Sequence, residues 1–305
     1  MDHYTGYFDA DSVILRSIKT QLSTRLGELT PELADQTDRC LEKEITGCQE
    51  WESVPIFHRL ERIVAAVSTR IFVGDELTTN EEWLKDIIEY TIQLITCATI
   101  LKHIPTPLLP LVYRFLPQYR RLQSIKASAK RLIKPIIQSR RELMERTDFE
   151  GNNNMLQWML DERVKKGLND RDYETMAQFQ LQLAFASLHT TSMALTNMIF
   201  DLVAWPNYID ILRTEINEQL EGKSNGKFSR DLIHNLPKMD SFMKESQRHN
   251  PVGYSKCSLV PKEYVIIDEP YSDHGARCVS RHNTLGRHFS SKGYIHRREC
   301  ISDHA

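Results

Sequence analysis

No run of 18 or more apolar residues occurs in the 305-residue chain, so no segment reads as a bilayer-spanning helix. Met1-Asp2-His3-Tyr4 opens into polar sequence, and no secretory leader is expected. Cysteine is sparse and scattered. Cys40, Cys48, Cys97, Cys257, Cys278 and Cys300 contain no CxxC pair, which excludes a recognisable disulfide framework and makes reduced thiols the expectation. A net charge of −2 and a pI near 6.6 give no electrostatic reason to bind nucleic acid. Strand signals are nearly missing before residue 250, and there is no internal repeat.

Helical periodicity is what the chain does contain. Ser12 to Leu26 carries apolar residues at Val13, Ile14, Ile18 and Leu22, with Gly27 as a stop and Pro31 as the start of a second helix to about Ile45. A third helix runs from Val54-Pro55 to Gly74, and a fourth from an Asn80 cap to about Leu101. Ile104 to Pro117 holds four prolines among large apolar residues, which predicts an irregular segment suited to a membrane surface, a partner or an internally packed loop. Gln118 to Arg146 is a basic helix whose stripe (Leu122, Ile125, Ala129, Ile133, Ile137) marks the Lys and Arg residues as a solvated face. A short amphipathic helix follows from Met155 to Val164.

The longest stretch without Gly or Pro runs from Asp170 to Trp205, roughly 34 helical residues or about 51 Å at 1.5 Å per residue. Asn169 or Asp170 is its expected cap, and its apolar second half, including Leu195, Met198, Ile199 and Val203, is expected to be buried. Ser187, Thr190, Thr191 and Ala194 fall at i, i+3, i+4 and i+7, giving one small, hydroxylated face. That face suits a large flat ligand. Back-bonding of the hydroxyls to the helix, or close passage of another helix, would explain it equally.

Helices of about four turns after Pro206 and from Met239 to His249 complete residues 1–250 as a helical core. Residues 251–269 begin a β-containing segment. Residues 270–305 show neither helical nor strand period, hold few aliphatic residues, and are expected to be disordered or to come from out-of-frame translation. His274, Cys278, His282, His288, His296 and Cys300 match no ordinary zinc spacing.

Three pieces in this order resemble the cytochrome P450 family, specifically the fungal haem-thiolate monooxygenases. Ala186-Ser187-Leu188-His189-Thr190-Thr191 is similar to the distal-helix motif A/G-G-x-D/E-T-T, and Glu245 with Arg248 to E-x-x-R. The phrases IVAAVSTRIFVGDELTTNEEWL, NNNMLQWMLDE and LPKMDSFMKESQRHNP fit the flanking helices. The resemblance covers about residues 1–265 and implies a mainly α structure: the helical portion of the P450 fold around one long helix, with the β-rich N-terminal and haem-thiolate C-terminal parts missing.

It further implies haem, with Thr190 beside bound dioxygen, His189 as a second catalytic candidate, Ser187, Thr191 and Ala194 facing the cofactor, and Glu245 and Arg248 as structural residues. NADPH-cytochrome P450 reductase and a lipophilic terpenoid or alkaloid-like substrate would be the partners. The full-length family sits on the endoplasmic reticulum membrane, here with Ile104 to Pro117 as a surface contact; without an anchor, a cytoplasmic location is the alternative. Two departures stand out. His189 occupies the motif's acid position, and no segment reads FxxGxRxCxG, since Cys300 has Arg298 before it but His296 and Gly293 where Gly and Phe belong. A truncated non-catalytic fragment and an α-helical binding module are therefore the alternatives to a monooxygenase.

Overall fold

The computed structural model describes residues 12–45, 53–145, 152–169, 171–223, 228–251, 288–289 and 295–296. Its elements are α1 (Ser12–Ser17), a π-helical turn (Ile18–Leu22), α2 (Ser23–Glu44), α3 (Ile56–Phe72), α4 (Glu81–Lys102), α5 (Leu109–Val112), α6 (Pro117–Met144), α7 (Met155–Lys165), α8 (Tyr173–Ala204), α9 (Asn207–Lys223), α10 (Arg230–His234) and α11 (Pro237–His249). An antiparallel pair, His288–Phe289 with Ile295–His296, is all that is described of the tail. The expected β-containing segment beyond Pro251 and the rest of 270–305 lie outside the described residues, as do Cys48, Cys257, Cys278 and Cys300. The expected mainly α architecture is what the chain adopts.

Side-chain caps set most of the boundaries. Asn80 Oδ1 accepts from Trp83 N at 2.9 Å, and Asn154 Oδ1 from Gln157 N at 3.1 Å, each satisfying an amide the helix leaves unpaired. The central helix is capped by Asp172, whose carboxylate accepts from Thr175 N at 3.1 Å and from its hydroxyl at 2.6 Å, rather than by Asn169 or Asp170. Asn169 is otherwise engaged: its carbonyl accepts from the buried Arg163, and its side chain from Arg171 N.

Gly27 does not stop a helix, nor does Pro31 start one; both lie inside α2. They are four residues apart, so the N–H that proline lacks is the one that would bond the Gly27 carbonyl. A side chain on Gly27 would meet Arg230 Cδ at 3.2 Å, so glycine here serves the close approach of α10. Packing outweighs the local penalty in α6 as well. Its interior Pro135 costs about 3 kcal/mol, while Leu122, Ile125, Ala129, Ile133 and Ile137 are all fully buried, each larger aliphatic side chain contributing about 1.5–3 kcal/mol.

The core gathers where α3, α4 and α6 surround the first half of α8. Trp83 Nε1 donates to Thr69 Oγ1 at 3.0 Å, tying α4 to α3. The helix from Met155 is not amphipathic in its setting: Met155 to Leu160 are all buried. Arg140, grouped with the solvated basic residues in the sequence reading, is only 2% exposed. Its guanidinium donates to Asn154 Oδ1 (2.8 Å), the Val73 carbonyl (2.6 Å) and Glu76 Oε1 (2.9 Å). Gly74 turns beneath it at φ 120°, where a Cβ would run into the Glu76 carboxylate and stand 3.0 Å from Arg140 Nη2. Arg120, Arg131 and Lys134 are solvated as expected, and Arg121 pairs with Glu89, Lys130 with Glu174 and Arg131 with Glu82, whereas Lys126 is half-buried and its desolvation lowers its pKa.

The Pro-rich segment forms short helical turns at Thr106–Leu108, Leu109–Val112 and Tyr113–Phe115, and Leu108 and Phe115 are exposed. The second half of α8 departs from expectation. Met198 is buried, but Leu195 and Ile199 are half-buried, and Phe200 and Val203 lie at the surface. Apolar composition predicts a need for cover there, and the described helices supply cover on one side only.

Candidate functional site

The middle of α8 has two chemically different sides. Thr190 and Thr191 are exposed, and Ser187 and Ala194 are half-buried, so the hydroxylated face is open among the described residues. Thr190 Oγ1 donates to the Ala186 carbonyl at 3.0 Å and shares its hydrogen with the Ser187 carbonyl at 3.3 Å. That commits its proton inward and leaves the oxygen's lone pairs outward, as acceptors. Ser187 Oγ makes a longer contact, 3.4 Å, to the Ala184 carbonyl. Back-bonding is thus present, but no described helix crosses the face closely enough to bury it.

His189 points to the other side, towards α3. Its Nδ1 lies 2.9 Å from Glu61 Oε1, and Glu61 is only 4% exposed. The second carboxylate oxygen lies 3.6 Å from Nδ1 of the exposed His58. Sequence reading missed this acid. The signal available was the small residues Ala65 and Thr69, at i+4 and i+8 from Glu61, which let α3 lie close along α8 and draw the carboxylate inside. Thr69 itself is buried, its hydroxyl bonded to the Ala65 carbonyl at 2.8 Å.

Glu245 and Arg248 form a two-pronged pair on α11, Nε to Oε2 at 2.8 Å and Nη2 to Oε1 at 2.6 Å, and both are exposed. The Arg248 guanidinium, helped by His249, holds the Glu245 carboxyl at about 2 against an ordinary 4.5. The structure does not bring this pair to Thr190. It docks α11 further along α8 through Asp201, whose Oδ2 accepts from Ser246 Oγ at 2.6 Å and from Asn250 Nδ2 at 3.1 Å. Asp201 is eleven residues from Thr190, roughly 16 Å along the helix.

Glu215 of α9 completes the docking by accepting from the first free amides of α11, Lys238 N at 2.8 Å and Met239 N at 2.9 Å. Asp201 and Glu215 are polar residues on otherwise apolar stripes. Between these helices lies an open groove of about 640 Å³, lined by Trp205, Tyr208, Leu212, Phe242, Glu245 and His249 among others.

The described thiols, Cys40 and Cys97, are buried, and burial pushes both upward from their ordinary pKa, which disfavours a thiolate. Among the described residues, no group of three or more His, Cys, Asp and Glu is arranged to hold a metal ion, and no helix is long and apolar enough to cross a membrane.

A family model described as cytochrome P450 matches residues 16–272. The chain is 32% identical over 262 residues to the cytochrome P450 monooxygenase braC of Annulohypoxylon truncatum, covering 85% of this chain and 52% of that protein. It is 35% identical to the monooxygenase AN1598 of Emericella nidulans and 34% to an ent-kaurene oxidase of Gibberella intermedia, covering 83% of this chain and 47% of each relative. The chain therefore spans about half the length of these curated relatives. Among solved structures, the retinoic acid-bound cyanobacterial CYP120A1 aligns with a TM-score of 0.56 at 17% identity, over 77% of this chain and 47% of the other, a likeness of fold alone. On the family match and the sequence likeness together, the chain belongs to the cytochrome P450 family.

Proposed function

We propose that this chain is the helical part of a haem monooxygenase that oxidises a lipophilic secondary metabolite, terpenoid or alkaloid-like, with dioxygen and electrons from an NADPH-dependent reductase. The observation that carries the reading is the open face of α8, where Ser187, Thr190, Thr191 and Ala194 interrupt an apolar helix and leave a shallow, small-residue surface. The small side chains fit one side of a flat macrocycle.

A haem-thiolate cofactor would also need a cysteine to hold it, and neither buried Cys40 nor buried Cys97 suits that role. The ligand would have to come from outside the described residues, where Cys300 keeps only the Arg298 of the FxxGxRxCxG pattern and is a weak match. Haem, when bound, would supply the activation of dioxygen needed to oxidise an unactivated C–H bond. Thr190 would accept a hydrogen bond from a water at Oγ1 and so hold a proton donor at the face. Glu245 and Arg248 would brace α11 and take no part in the chemistry. Exposed Leu108 and Phe115 support a membrane-surface contact at Ile104 to Pro117.

The test is a reduced, carbon monoxide-bound difference spectrum of the chain expressed with haem supplied. A Soret band shifted strongly to the red, as a thiolate ligand produces, is expected. Absence of a specific band, or a band of His-ligated or loosely held haem, would withdraw the catalytic claim for this chain and leave a non-catalytic fragment or an α-helical binding module.

A further inference from the structure

Glu61 is a carboxylate inside a helix–helix contact, and burying such a group costs several kcal/mol unless it finds compensation. The Arg140 cluster shows how this chain satisfies a permanent buried charge, with three acceptors around one guanidinium. Glu61 is treated differently. Among the described residues its ion-pair partners are both imidazoles, His189 at 2.9 Å and His58 at 3.6 Å. The 2.9 Å approach is not an aligned hydrogen bond, so Oε1 lacks a donor, and His189 Nε2 is buried with no partner. A modest ring rotation would align Nδ1–H with Oε1. An arginine offers only donors at such a point, whereas a neutral imidazole has two tautomers, and its partner decides which ring nitrogen carries the hydrogen.

We propose that Glu61 is a positioning residue for His189: its carboxylate accepts from Nδ1–H, fixes that tautomer and the ring's orientation on the α3 side of α8, and leaves Nε2 as the ring's hydrogen-bond acceptor. Carboxylate–imidazole pairs of this kind set both tautomer and ring orientation. Any part of His189 in oxidation rests on the monooxygenase reading, but the tautomer does not.

The experiment is 15N NMR of the chain labelled at histidine, without haem, compared with Glu61→Gln and His58→Gln. Neutral His189 is expected as the Nδ1–H tautomer in the native chain. In Glu61→Gln the side-chain amide can donate to Nδ1, and the signal pattern should reverse to Nε2–H; Glu61→Asp should restore the native pattern. His58→Gln should leave the His189 pattern unchanged. An Nε2–H tautomer in the native chain, or the averaged pattern of a free imidazole, overturns the proposal even if Glu61→Gln does not fold. Reversal by His58→Gln overturns it too, since His58 would then control the ring. None of these outcomes depends on the carbon monoxide spectrum, so either reading can fail alone.

Discussion

The two halves of α8 are similarly apolar in sequence and opposite in fate. In the first half, Phe179 is 2% exposed and Leu181 is fully buried, enclosed with α3, α4 and α6. In the second, Phe200 is 49% and Val203 73% exposed. The difference lies in partners rather than in residues. Hydropathy states how much surface a helix would gain by covering, roughly 25 cal/mol per Å² of apolar area, and neighbouring elements decide whether that gain is realised. The hydroxylated face begins where the enclosure ends, so the candidate site coincides with the boundary between the two regimes.

Phe179→Ala and Phe200→Ala should separate those regimes most sharply. Removing Phe179 leaves a cavity in a close-packed region and is expected to destabilise the chain by about 3–5 kcal/mol. The same truncation at Phe200 should stay within about 0.5 kcal/mol. Denaturant unfolding of the two variants checks this. Comparable losses at both positions would mean that the second half of α8 is covered as fully as the first.

The legible part of this fold was the part set by local chemistry. Asn80 announces a helix because its side chain can bond an amide three residues on, and the stripe Leu122, Ile125, Ala129, Ile133 and Ile137 predicts one buried face. Ser187, Thr190, Thr191 and Ala194 were placed together by helical spacing alone. What escaped was whatever depends on distant residues. Gly27 and Pro31 look like punctuation until α10 is seen against one of them, and Arg140 looks solvated until Val73 and Glu76 are found beside it. Glu61 was invisible for the same reason: its partner His189 lies 128 positions away, on another helix.

A smaller effect is expected where the open half of α8 is tied down. Asp201 is its buried polar anchor, and Asp201→Ala would leave Ser246 Oγ and Asn250 Nδ2 without their acceptor, at about 1–3 kcal/mol. Hydrogen exchange locates the loss. Amides of α11 should exchange faster than in the native chain, while those of α3 and α6 keep their protection. Uniform acceleration across all these helices would show that the two halves unfold as one unit and that the contrast between them is only one of exposure.

The smallest expected effect lies on the open side, at Glu245 and Arg248. The folded carboxyl is held at about 2, below its ordinary 4.5, chiefly by the Arg248 guanidinium and then by His249. A depressed folded value means that the pair's contribution is fully present above pH 4.5 and is lost as pH falls through about 2. Both side chains are fully exposed, so solvent screening keeps that contribution small however far the titration moves. A 13C carboxyl titration should find a Glu245 midpoint near 2, and Arg248→Gln should return it towards 4.5 while His249→Gln moves it less. The unfolding midpoint at neutral pH should barely change in either variant. A large loss of stability in Arg248→Gln would show that the pair is enclosed, and the groove beside it would then belong with the packed half of the molecule.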